Sequence, residues 1–191
     1  MDLDDDEAYI LLLLSDSNLP TGSFVASSGL ESYMKHGFAS IPDSATIDFV
    51  RDSLASYAHS ALPFVSDSHR VVSRLNTSEG DNMDQDTMVM ENLFALDELY
   101  DTMTLNHVAR RASKSQGVAL LSLYSKGLSR SPSLSAFLGG ESEDRESQMN
   151  KLFDAFKLRI RREEGHGHLP VCWGALTAAL GLSLGTKTRP R

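Results

Sequence analysis

The sequence predicts an all-α protein, a single-domain multi-helix bundle of about seven to nine helices. Three observations carry that expectation. Apolar residues recur at i, i+3, i+4 and i+7 in most segments. The period-2 alternation of half-buried strands is missing. Clusters of Pro, Gly, Asn, Asp and Ser separate one helical stretch from the next.

The elements follow in order. Asp4, Asp5, Asp6 and Glu7 place negative charge at the start of the apolar run 8–14, where a helix dipole favours it. Residues 15–23 carry Asp16, Asn18, Pro20 and Gly22, which is turn chemistry. A second helix is expected over 28–36, stopped by Gly37 in a left-handed conformation. Asp43 or Ser44 is placed to cap a third. Ile47, Val50, Leu54, Tyr57, Ala58 and Ala61 then share one face, and Pro63 is expected to end or kink that helix. Phe64, Val71, Val72 and Leu75 suggest a further helical stretch.

Residues 76–87 read as a solvated acidic loop. Leu93, Leu96, Leu99, Tyr100 and Met103 form the next apolar stripe. A long helix is expected over 106–126. Residues 129–147, rich in Ser and Gly, read as a second loop. Met149, Leu152, Phe153, Phe156 and Ile160 repeat at helical spacing, with Lys151, Lys157, Arg159, Arg161 and Arg162 on the other face. After Gly165-His166-Gly167-His168, Pro170 suits the first turn of a last helix over 171–184. The tail 185–191 is polar and basic.

Composition narrows the classes. At 191 residues with 41% hydrophobic and 23% charged, the chain can bury a core and is not disordered throughout. Cys172 is the only cysteine, so neither a disulfide framework nor a CxxC centre is available. A net charge of −8 argues against nucleic acid as a partner. The longest apolar run, 8–14, is far short of the ~20 residues of a membrane helix. No membrane partner is expected, and the cytoplasm is the expected compartment.

No catalytic constellation emerges. The six histidines are His36, His59, His69, His107, His166 and His168, and none sits in HExxH. His166 and His168 form an HxH pair that can touch a divalent ion, while a polar turn without ligand is the plainer reading. His59 and His69 read as surface helix residues. Cys172 lies between Val171 and Trp173 and reads as a buried, inert thiol. GxSxG, GxxxxGK[ST] and GxGxxG are all missing. Asp97 and Glu98 read as ordinary helix-surface carboxylates. The basic face 151–162 suits an acidic partner or simply solvent. Gly174 and Gly181, read as lying inside the last helix, each cost about 1 kcal/mol against alanine, which close helix–helix approach would offset.

Leu13-Leu14-Ser15-Asp16-Ser17-Asn18-Leu19-Pro20-Thr21-Gly22-Ser23-Phe24, continued by Ser27-Ser28-Gly29-Leu30-Glu31, resembles the opening signature of the urease accessory protein UreF family. Arg110, Ala112, Ser113, Gln116 and Gly117 resemble its R-x-A-S-x-x-Q-G element, in the fungal and plant form. His168-Leu169-Pro170-Val171, Gly174 and residues 178–182 resemble its H-x-P-V-x-x-G…A-A-x-G-L helix. The resemblance spans nearly the whole chain, in order.

It implies an all-α protein that is not an enzyme. Such a protein helps insert nickel into apo-urease, bridging a UreD-type (UreH) scaffold and the UreG GTPase and modulating GTP hydrolysis. Nickel and GTP are then handled by partners, with no catalytic, cofactor or metal residue in this chain. Homodimers are a family property. Asp16, Pro20, Gly22, Glu31, Arg110, Ser113, Gln116 and Gly117 are the partner-contact candidates, and structural duty accounts for each equally well. Family members continue beyond the Ala-rich helix with further helices. The ending from Ser183 to Arg191 departs from that pattern, implying a shortened C-terminus and a weakened dimer. Two alternatives stay open: a non-productive variant, and a small helical metal-binding protein or enzyme using His166 and His168.

Overall fold

A computed structural model describes residues 5–16, 19, 29–37, 45–77, 83–128 and 142–184. The described residues form seven α-helices and no strand. They are α1 (Asp5–Leu14), α2 (Leu30–Lys35), α3 (Ala45–Ser73), α4 (Met83–Met103), α5 (His107–Leu123), α6 (Ser142–Arg161) and α7 (Leu169–Ala179). A 3₁₀ turn, Arg74–Thr77, follows α3, and a π turn, Tyr124–Leu128, follows α5. The starts of α4 and α6 overlap the segments 76–87 and 129–147 that read as loops. The expected cap at Asp43 or Ser44, and the tail 185–191, lie outside the described residues. No described helix is long and apolar enough to cross a membrane.

By its internal contacts the chain divides into two units, 23–63 and 1–22 with 64–191. In the smaller unit, Gly37 follows α2 at φ 70°. Tyr33 of α2 meets Phe49 of α3, ring centroids 5.3 Å apart. Ile47, Val50, Leu54 and Tyr57 share a helical face, but that face is exposed, at 48–66% of full accessibility. The helix turns Phe49 rather than this stripe toward α2.

Pro63 does not end α3, which runs on to Ser73. A proline removes one donor and crowds the carbonyl four residues back. Here Pro63 and His59 both lie on the exposed side, where that carbonyl can meet water.

In the larger unit, the stripe of α6 is the core it promised to be. Met149, Phe153 and Phe156 are at most 2% exposed, with Leu152 close behind. Phe153 stacks on Tyr124 at 4.3 Å, and Phe156 meets Phe94 edge-on at 5.1 Å. The Arg159 guanidinium lies over the Phe94 ring, 4.1 Å from its centroid. Lys157 donates to Ser125 Oγ at 2.6 Å. Two members of the basic face are therefore engaged inside the protein.

Helix α7 is the most buried element, with Val171, Cys172 and Leu176 fully enclosed. Pro170 sits in its first turn. The helix ends at Ala179 rather than near 184. Gly181 at φ 75° closes it: Gly181 N–H donates to Ala178 O and Leu182 N–H to Thr177 O, both at 3.0 Å. That is the Schellman arrangement, which satisfies two terminal carbonyls. Gly174 permits the close approach of α7 to α3. A Cβ there would meet the Val65 carbonyl, the Ser68 Cβ at 2.8 Å and His69 N at 3.0 Å.

His69, expected at the surface, is buried in this crossing. Its Nε2–H donates to Leu182 O at 2.7 Å, and its Nδ1 accepts from Ser73 Oγ at 3.2 Å. At α1, Glu7 Oε1 accepts from both Ser183 N and Ser183 Oγ at 2.6 Å.

Two substitutions test these backbone arguments by thermal unfolding. Gly174→Ala forces α7 off α3 backbone and is expected to cost about 1–3 kcal/mol. Glu163, which ends α6 at φ 61°, is a side chain in a glycine conformation. Glu163→Gly is expected to stabilise by up to about 1 kcal/mol.

Candidate functional site

The site lies where α4 and α5 meet the segment leading into α7. It is built on two helical spacings. Asp97 and Asp101 stand one turn apart on α4. Arg110, Ser113, Lys114 and Gly117 follow i, i+3, i+4, i+7 and so share one face of α5. That helix is started by Asn106, whose Oδ1 accepts from Val108 N at 2.9 Å and Ala109 N at 3.2 Å.

Asp97 is the centre. Its side chain is fully buried. One oxygen accepts from His166 N at 2.6 Å and Gly167 N at 2.8 Å, and the other from His168 N at 2.8 Å. Three successive backbone amides thus close on one carboxylate, with Gly167 at φ 71° to make the bend. The reading of Asp97 as a helix-surface acid is overturned. A carboxylate can be buried here because its donors are supplied by backbone at the right place. Glu98, its neighbour, is exposed as expected.

His168 is also fully buried, and its tautomer follows from its partners. Asp101 Oδ1, 3.0 Å from Nε2, only accepts, so Nε2 carries the proton. Nδ1 then accepts from Ser113 Oγ at 3.1 Å, while Ser113 Oγ accepts from Leu169 N at 3.1 Å. Tyr100 meets the ring edge-on at 5.0 Å. Burial pushes the His168 pKa below the ordinary imidazole value, against the pull of Asp101 and Asp97.

Asp101 gathers the cations. Lys114 Nζ lies 2.6 Å from Oδ1 and Arg110 Nη1 3.6 Å from Oδ2. Arg110 Nε also donates to Thr104 O at 2.9 Å. Burial pushes the Asp101 carboxyl up, but the hydrogen bonds from Lys114 and His168 and the nearby positive charge outweigh it, bringing it down to about 2. Lys114 also donates to His166 Nδ1 at 3.0 Å, and His166 Nε2–H donates to Glu98 Oε2 at 2.9 Å.

Gly117 completes the face. A Cβ there would strike the Gly167 carbonyl and stand 2.9 Å from His168 C and Leu169 N. Cys172, one turn beyond His168, is enclosed, and burial together with the charge of Asp97 pushes its thiol pKa well up. That matches an unreactive core thiol.

The HxH pair is therefore a hydrogen-bonded corner. The Lys114 ammonium stands between His166 and Asp101, where a metal ion would otherwise have to sit. Among the described residues no group of three or more His, Cys, Asp or Glu is placed to hold a metal.

The sequence-predicted site residues divide cleanly. Ser113 and Gly117 meet 167–169, so the second and third motifs of the family resemblance meet in space, while Arg110 reaches Asp101 and the Thr104 carbonyl instead. Gln116 is half-buried on the same helix and engaged. Asp16 is exposed at the end of α1 and engaged, and Glu31 is exposed on α2. Pro20 and Gly22 lie outside the described residues. Sequence reading missed Lys114 and Asp101, although their helical offsets from Arg110 and Asp97 were available as a signal.

The described residues define an all-helical protein in which the polar groups of the α4–α5–α7 corner bind one another and the backbone. The UreF family model matches residues 43–187, and the chain belongs to the UreF family of urease accessory proteins. It is similar to "Urease accessory protein 6" of Cryptococcus neoformans var. grubii, 39% identical over 201 residues, covering 92% of this chain and 63% of that one. It is similar to the "Uncharacterized urease accessory protein UreF-like" of Schizosaccharomyces pombe, 31% identical over 179 residues, covering 93% and 63%. "Urease accessory protein F" of rice is 36% identical over 108 residues, covering 56% and 35%. These are names of accessory proteins, not of enzymes. The chain spans 63% of the length of the two fungal relatives. No solved structure matches it.

Asp97→Ala orphans three backbone amides, two of them fully buried, and is expected to destabilise by about 3 kcal/mol in denaturant unfolding. Acid titration gives a second check. A depressed carboxylate stabilises above its unfolded pKa of 3.8 and loses that contribution as pH falls toward about 2. Asp101 is expected to contribute stability that is lost with acid in that window, reduced by solvent screening, and absent in Asp101→Asn.

Proposed function

We propose that the chain is a urease-maturation co-chaperone that bridges a UreD/UreH-type scaffold and a UreG-type GTPase, modulating GTP hydrolysis while nickel enters apo-urease. The observation that carries this reading is family membership over residues 43–187. In this reading nickel and GTP are held by the partners, and the chain contributes surface rather than chemistry. It works in the cytoplasm, and any homodimer it forms is weakened by the departure of its C-terminal residues from the family pattern.

The architecture supports such a role. Arg110, Ser113, Lys114 and Gly117 are committed to the α4–α5–α7 corner and give the bridge a rigid centre. Asp16 and Glu31, both exposed, are the stronger candidates for partner contact. Arg110, half-buried, leaves part of its guanidinium within reach of a partner.

The test is co-expression with the UreD-type protein of the same source, followed by size-exclusion chromatography with light scattering. Co-elution as a defined complex, with further uptake of the GTPase, is expected. A well-folded chain that elutes alone beside both partners overturns the reading. Asp16→Lys with Glu31→Lys is expected to weaken the complex about tenfold or more without moving the melting temperature.

A further inference from the structure

Both imidazoles at the corner are wired as neutral rings. Each donates through Nε2 to a carboxylate, His168 to Asp101 and His166 to Glu98. Each accepts through Nδ1 from a donor on α5, His168 from Ser113 and His166 from Lys114. A proton added to either ring must go to Nδ1. It there removes the lone pair that the α5 donor uses. For His166 it also sets an imidazolium against an ammonium only 3.0 Å away.

The surrounding charges come from every neighbouring element. Helix α4 supplies Asp97, Glu98 and Asp101. Helix α5 supplies Arg110 and Lys114. Arg159, at the end of α6, pairs with Glu164 at 2.9 Å and lies over Phe94, which packs on Gly165. On α7 the titratable neighbour is the Cys172 thiol, and Tyr100 of α4 faces His168. The three carboxylates draw a proton in, while Lys114, Arg110 and the burial of His168 oppose it.

We infer that His166 and His168 form a proton-released clasp, which holds the first turn of α7 against α5 when both rings are neutral and lets go when they gain protons. The clasp sits where α5 and 167–169 meet backbone to backbone at Gly117, so the side-chain bonds of Ser113 and Lys114 to the two rings set the register of that contact. Burial holds the His168 ring neutral to below the ordinary imidazole range, so its release lies on the acid side of that range.

Cys172 reports the opening, because it is the only thiol and lies buried one turn from His168. The rate of its reaction with 4,4′-dithiodipyridine is measured from pH 7.5 to 5.5, divided at each pH by the rate of the denaturant-unfolded chain. A rise of about tenfold or more is expected, since one coupled proton gives up to tenfold per pH unit. His166→Gln keeps an acceptor for Lys114 and a donor for Glu98 but does not titrate. Its profile is expected to be at least threefold shallower. His168→Gln, added to it, is expected to flatten the profile. Should the double variant fail to fold, proton NMR titration of the wild-type imidazoles replaces it, and their midpoints are expected to coincide with the rise in thiol exposure. A flat wild-type profile, an unchanged slope in His166→Gln, or imidazole midpoints outside the range of thiol exposure overturns the inference.

Discussion

The corner of α4, α5 and α7 is organised around one buried carboxylate. Among the described residues no cation pairs with Asp97. It is held by three amides of a chain segment that needs somewhere to put them. A tight bend such as 166–168 points its N–H groups inward, and unpaired they would cost about 1–3 kcal/mol each. Asp97 resolves two problems together, its own burial and theirs. The position of the bend then sets where His168 falls, and His168 sets the partners of Ser113 and Asp101. Pro170 and the first turn of α7 follow directly.

The corner also assigns work to charge according to depth. Asp97, deepest, meets only backbone. Asp101, one turn outward, is shared among Lys114, Arg110 and His168. Glu98, exposed, takes His166 alone. Pairing thus loosens toward solvent, where a salt bridge is worth little. The mixture of acid, base and amide looks like a catalytic pocket in composition, yet its members face one another. It is an internal brace for a protein whose relatives are named for assisting urease.

Much of this was legible in the sequence and some was not, for physical reasons. The stripe of α6 was clear because Met149, Leu152, Phe153 and Phe156 pack as their spacing demands. Pro170 marked the start of α7 because the first turn tolerates a missing N–H. Of the two outcomes Pro63 offered, an end or a kink, the end is not taken, because a proline on an exposed face of a long helix costs less than one facing a core. The end of α7 was overshot, since Gly181 in an apolar run looks like a helix interior until its left-handed φ is known. Asp97 was illegible for a deeper reason. Its partners are backbone amides, which every residue carries, so nothing in their side chains announces them. Gly117 was visible only through a family motif, while its cause, close contact with Gly167 and Leu169, lies in tertiary structure.

The distances along the chain between these partners have a kinetic consequence. Asp97 reaches amides 69 to 71 residues away, and Glu7 reaches Ser183 across 176. Helices α4, α5 and α6 can each form from local contacts within microseconds. The brace cannot, because a long loop must close before any of its bonds is made, and that closure is paid in chain entropy ahead of the reward. Helical content is therefore acquired early and the corner late. Between those moments the apolar faces of α6 and α7 are still uncovered, the interval in which the chain is most open to aggregation.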